Sequence, residues 1–255
     1  GSLAVKATAD SRLATATGDY VSVSVLEGSG ADVKAEVTGS TTAFLGGSGT
    51  TLSTSGFIKV TAETADSSSS ATSILGAGGA LAVSVALADA DNTGSTTAYV
   101  ADGTVIENAG RVEVKADSKD KASATARVSG GGGISGRGVT ADATVTSTTD
   151  AHVGSNVTMN VAGDVLVDAV AQTAEADANA TSAGGGGISV GVALGTITVD
   201  PTIKAYIGSG TVITSGEDVR VTAALLRAAT GAALTDLLDQ STVNTTQDTF
   251  VFTAH

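Results

Sequence analysis

The 255-residue sequence predicts an all-β chain wound as a parallel β-solenoid with about 54 residues per repeat. Two features carry the prediction: landmarks that recur together at one spacing, and period-two alternation of small apolar and polar residues between them. Composition agrees. With Gly 33, Pro 1, Trp 0, Phe 4 and Tyr 3, the core must come from Ala, Val, Ile and Leu. Such small side chains keep packed layers close, so the core is thin.

The first landmark is an alternating strand: Leu3-Ala-Val5-Lys-Ala7, Ile58-Lys-Val60-Thr-Ala62, Val112-Glu-Val114-Lys-Ala116, Val165-Leu-Val167-Asp-Ala169 and Val219-Arg-Val221-Thr-Ala223. Its second valines, 5, 60, 114, 167 and 221, are 55, 54, 53 and 54 residues apart. Ala43-Phe44-Leu45, Ala98-Tyr99-Val100, Ala151-His152-Val153 and Ala205-Tyr206-Ile207 advance in step, by 55, 53 and 54. So do the segments that follow the glycine tracts, beginning at Leu81, Ile134 and Ile188, by 53 and 54. Units therefore start near 3, 58, 112, 165 and 219, giving about four and a half repeats over 3–223.

Within a unit, stretches such as Ala174-Glu-Ala176-Asp-Ala178-Asn-Ala180 have one small face and one polar face, the signature of a half-buried strand. Each unit reads as a long strand up to the glycine tract (Gly78-Gly79, Gly130 to Gly133, Gly184 to Gly187), a second long strand, and a short strand such as Thr104-Val-Ile106. Inward positions are even over Ile188 to Leu194 but odd at Ala205 and Ile207, so a bend is expected near Pro201. One wide coil per repeat is favoured, with two narrower coils as the alternative. A propeller needs more blades than four and a half, and tandem domains of this size would each need a private core that Ala-lined strands hardly supply.

Residues 224–255 depart from the pattern. Leu226, Ala229, Ala233 and Leu237 fall at helical spacing, and Thr249-Phe-Val-Phe-Thr-Ala254 resembles a returning strand, so this tail is predicted to cap the stack. Gly1-Ser2 reads as a remnant of expression ahead of the repeats.

The 13 Lys/Arg against 26 Asp/Glu give a net charge of −13, which argues against nucleic acid as a partner. No apolar run approaches the roughly 18 residues of a membrane span, so no membrane insertion of this segment is expected. The absence of Cys removes disulfides, thiolate metal sites and Cys nucleophiles.

The glycine tracts, the alternating Val/Ala strands, Lys204-Ala-Tyr-Ile-Gly-Ser-Gly-Thr-Val-Ile-Thr214 and Gly216-Glu-Asp-Val-Arg-Val-Thr-Ala223 together resemble the repeats of giant bacterial exoproteins and filamentous-haemagglutinin-like surface adhesins. The resemblance covers most of residues 3–223. It implies a right-handed β-solenoid stalk, secreted by a Gram-negative bacterium or held at its outer membrane. Such a stalk attaches to a host or neighbouring-cell surface, glycans included, or acts as a spacer, without catalysis.

Candidate sites are few. The single internal histidine, His152, occupies the place of Phe44, Tyr99 and Tyr206 in other units. If Ala98 and Val100 point inward, these four rings form an outward column near the strand repeat of about 4.8 Å, suited either to stapling coils together or to stacking sugars. No cofactor is expected. Asp89-Ala-Asp91-Asn92-Thr-Gly94 imitates the start of a calcium loop, but its twelfth position is Val100 where a Glu is required, leaving Asp89 and Asp91 as weak calcium candidates. A polysaccharide lyase or epimerase on the same scaffold is the alternative function, with Glu175 and Asp177 above Lys121 or Arg127 as its acid and base cluster.

Overall fold

The computed structural model describes residues 1–226 and the pair 249–250. The first coil contains β1 (Leu3–Ala9), β2 (Arg12–Val23), β3 (Leu26–Val37), β4 (Ser40–Leu45) and β5 (Thr51–Ser53). The second contains β6 (Phe57–Asn92), β7 (Ser95–Val100) and β8 (Val105–Ala109); the third, β9 (Arg111–Val145), β10 (Thr148–Val153) and β11 (Thr158–Val161). The fourth contains β12 (Val165–Val199), β13 (Thr202–Ile207) and β14 (Val212–Ser215), after which β15 (Val219–Leu225) opens a fifth turn. Stacked strands pair parallel in three sheets, and each repeat is one coil of a parallel β-solenoid.

The sequence landmarks are the register. Val5, Val60, Val114, Val167 and Val221 are successive Cα partners, as are Ala43, Ala98, Ala151 and Ala205. Like therefore sits on like from coil to coil, which lets small residues fill a core without gaps.

Each coil encloses two cores. The first limb of the long strand (58–64 in β6) and the two short sheets wall a three-sided body around Ile58, Val60, Val100, Ile106, Val114 and Met159. The long strand then runs on as a second and a third limb (67–78 and 81–92 in β6), which fold back on each other across an alanine layer that includes Ala71, Ala88, Ala124 and Ala141. The sequence placed a strand boundary at the glycine tract; instead the hydrogen-bond ladder continues through Gly130, Gly131 and Gly132, and the tract is the point where the strand doubles back. The strand does break at Pro201, between Val199 and Thr202, but the change of parity that predicted a bend there is absent: Ile188, Val190, Val192 and Leu194 face solvent, and the inward positions are odd on both sides, at Ile197 and Val199 as at Ala205 and Ile207.

The variable period is absorbed at corners. Thr64 pairs with Ser118, an offset of 118 − 64 = 54, while Ser67 pairs with Asp120, an offset of 120 − 67 = 53, and the residue is lost in a bulge between them. A bulge between Ala171 and Thr173 restores it one coil later.

Strand β15 continues through Ala224 and Leu225, paired with Val170 and Ala171, so the first residues of the expected helical tail are extended: the coil beneath offers them a ladder. The rest of that helix lies outside the described residues. The strand β16 (Thr249–Phe250) pairs antiparallel with Val221 and Thr222 instead of adding a parallel rung.

Candidate functional site: an aromatic ladder and a buried polar seam

On each rung of the sheet formed by β4, β7, β10 and β13, alternation turns the alanine inward, buried at Ala43, Ala98 and Ala151 and partly buried at Ala205, and turns the next side chain outward. Ala98 and Val100 are fully buried, and Tyr99 lies between them on the outer face. The four rings stack as a column. Centroids are 5.4 Å apart for Phe44 and Tyr99, 5.0 Å for Tyr99 and His152, and 4.6 Å for His152 and Tyr206, with interplanar angles of 15°, 5° and 6°. Asp150 Oδ1 lies 2.6 Å from His152 Nδ1 and holds the imidazole in the plane of its neighbours. Burial, with Asp150 and Asp102 nearby, holds the Tyr206 hydroxyl above its ordinary value.

This ladder consumes ring faces. Tyr99 and His152 have a ring on both sides, so among the described residues only one face of Phe44 and one of Tyr206 lack a ring partner, and the column offers mostly ring edges. Its structural contribution is direct: Tyr99→Ala removes two stacks and is expected to lower stability by about 1–2 kcal/mol, against about half that for Tyr206→Ala, read from urea midpoints. Equal losses at the two positions would assign the effect to the rungs instead of the stacking.

The other sequence candidates lie apart from the ladder. Asp89 and Asp91 stand on the extended strand β6, so residues 89–94 do not form a calcium loop. Both carboxylates face Lys34, whose Nζ is 2.9 Å from Asp91 and 3.5 Å from Asp89. Glu175 sits over Lys121 at 3.7 Å, whereas Asp177 is opposite Ser123, and Arg127 is opposite Thr181 further along the strand. Among the described residues no three His, Asp or Glu side chains are grouped to hold a metal ion. An opening of about 490 Å³ at the mouth of the three-sided core beneath the first coil is lined by Leu3, Leu52 and Ile58, with no acidic, basic or histidine side chain among its lining residues.

A second cluster lies where the two cores meet. In the second coil Thr64 is 2.7 Å from Thr96 and 3.2 Å from Thr41, while Asn92 donates to the Ser67 carbonyl at 2.8 Å. One coil up, Ser118 is 2.8 Å from Thr149, and Ser118 and Ser147 both donate to Asp120 Oδ2, at 2.8 and 2.9 Å. Arg12 of the first coil donates to Thr64 at 3.0 Å and also reaches the Gly39 carbonyl. The result is a buried hydroxyl seam with a cation near one end and a carboxylate two coils above it. It pairs most of the corner's polar groups where the backbone bulges break the ladder, leaving Arg12 Nε and Asp120 Oδ1 without a partner.

The seam went unnoticed in the sequence although a signal existed. Counting back in twos from the inward Ala126, Ala124 and Ala122 reaches Asp120, so alternation alone puts that carboxylate inside. Arg12 precedes Ala14 and Ala16 in the same way.

Asp120 is 1% exposed and its Oδ1 has no hydrogen-bond partner. Burial raises its pKa above the ordinary 3.8, while Ser118, Ser147 and the charge of Arg12 pull in the opposite direction. Because the folded value exceeds the unfolded one, the folded chain holds more protons between the two, and Asp120 costs stability as pH rises through that window. Asp120→Asn is therefore expected to gain on the parent as pH is raised from about 3 to about 7, measured by urea midpoints; parallel pH curves for the two proteins would refute the assignment.

Fold and site together define a two-cored parallel β-solenoid with an external aromatic ladder and an internal polar seam. No family model, curated protein or solved structure matches the chain.

Proposed function

We propose that the chain is a structural and adhesive stalk segment of a large secreted or cell-surface bacterial protein, noncatalytic, serving in attachment or as a spacer. The observation that supports it is the repeated register: corresponding residues meet on four successive coils and resume after each corner bulge, giving a body that extends by repetition, with most ionisable residues on its outer faces and Arg12 and Asp120 held in the seam. A net charge of −13 keeps such a body soluble. Beads coated with the chain are expected to be retained under flow on a cell or abiotic surface, while polysaccharides mixed with it stay intact. Retention no better than that of albumin-coated beads removes the adhesive part of the reading. Depolymerisation that Glu175→Gln abolishes removes the noncatalytic part.

Sugar binding is the second reading, favoured by the exposure of the two end rings, Phe44 at 54% and Tyr206 at 43%. Stacking on an open face requires those ends, so on a glycan array Tyr206→Ala should abolish binding while Tyr99→Leu leaves it largely intact. Loss in both variants would place a ligand along the ring edges instead.

A further inference from the structure

The outer side of the third limb carries an apolar field with an unusual relief. Its first column is Leu26, Leu81, Ile134 and Ile188, one residue per coil. The next reads Gly28, Val83, Gly136 and Val190, and the one after it Gly30, Val85, Gly138 and Val192. None of these positions bears a polar side chain, and the large ones face solvent, from 41% exposed at Val85 to 71% at Leu26. Coils one and three are thus furrows, and coils two and four are ridges.

Neither packing nor backbone conformation requires these glycines. A Cβ would meet nothing within 4 Å at Gly28 and nothing nearer than 3.8 Å at Gly30, 4.0 Å at Gly136 and 3.7 Å at Gly138. All four lack a positive φ. Glycine inside a strand costs stability and gives nothing back where no close approach or turn demands it. The space above each one faces outward.

We propose that this face binds a second copy of the chain, related by a two-fold axis that lies in the face and runs along the strands. That axis keeps the columns aligned and reverses the coil order, so furrow, ridge, furrow, ridge meets ridge, furrow, ridge, furrow. Val190 enters over Gly28 of the second copy and Val83 over Gly136; Val192 and Val85 do the same over Gly30 and Gly138. The all-large column packs ridge to ridge beside them. The other in-plane axis, along the stack, sets each coil on itself, furrow against furrow, and gains nothing from the relief. Four coils at about 4.8 Å and three columns at about 7 Å bury on the order of 400 Å² per copy. The total of about 800 Å² lies below the roughly 1,000 Å² of a stable specific interface, which points to a weak dimer that forms towards millimolar concentration. Beyond the apolar columns the same arrangement places Asp89 near Asp142 of the second copy, so added salt tightens it.

Sedimentation equilibrium between about 10 µM and about 1 mM reads the association. The parent is expected to approach the mass of two chains, and more completely at higher salt. Gly136→Val with Gly138→Val fills one furrow and should weaken association at least about tenfold, and ordinary contact distances leave room for the fold. Adding Val83→Gly and Val85→Gly exchanges ridge and furrow between coils two and three, which the two-fold pairs with each other, and should restore association to within about threefold of the parent. Circular dichroism of each variant checks that the coils are intact. A parent that remains one chain at the highest concentration, a filled variant that associates as well as the parent, or an exchanged variant no tighter than the filled one overturns the proposal.

Discussion

Gly132→Ala is expected to destabilise the chain by at least about 3 kcal/mol, whereas Gly136→Ala four residues away should change stability by no more than about 0.5 kcal/mol. The contrast comes from the fold-back. Gly79, Gly132 and Gly186 are register partners at the tip of successive coils. A Cβ on Gly132 would fall well inside contact of the Gly79 carbonyl, and one on Gly186 inside that of Gly132; Gly186 also has φ +144°. The obstacle is backbone pinned by its own ladder, which cannot swing aside like a side-chain end. Urea denaturation of the two variants tests the difference. A small loss for Gly132→Ala would mean that the tip relaxes freely and that the tract is not what sets the fold-back.

The second large effect is expected at Ile106, in the column Leu52, Ile106, Met159 and Ile213. Ile106→Ala should cost about 4 kcal/mol, towards the upper part of the range for emptying a buried aliphatic site, and Ile106→Val about 1 kcal/mol. Ile106 is completely buried in the three-sided core. The walls around it are hydrogen-bonded to the coils above and below, and although its own sheet bulges just beyond Ile106, the pairing of Ile106 with Leu52 and Met159 holds that wall from moving in to fill the space. A loss below about 2 kcal/mol for Ile106→Ala would show that the prism collapses locally, and a crystal structure of the variant would locate the shift.

Much of this architecture was legible in the sequence because a solenoid writes its register into its period. Val5, Val60 and Val114 mark one rung each, and the ring column follows from parity at Ala98 and Val100. The division of each coil into two cores was not legible. Nothing in alternation distinguishes a limb facing a distant sheet, as at Val60, from one facing its own continuation, as at Ala71; the difference lies in the bulge after Thr64 and the turn at Gly79. Alanine on both facing limbs is consistent with the closer approach there, and bulkier valine and isoleucine serve the wider prism. Asp120 and Arg12 were overlooked because charged letters in an acidic, alternating sequence are read as surface until their parity is counted.

The bulged corner next to Thr64 has an evolutionary corollary. Duplication and unequal crossing-over in a repetitive gene insert or delete residues with little respect for frame within a unit, and a stack with rigid corners would shift every downstream side chain to the wrong face. Here a one-residue error between Thr64 and Ser67 leaves Tyr99 over Phe44 and under His152. The corner works as an expansion joint, and arrays built from such coils can drift in unit length while their outer columns stay aligned.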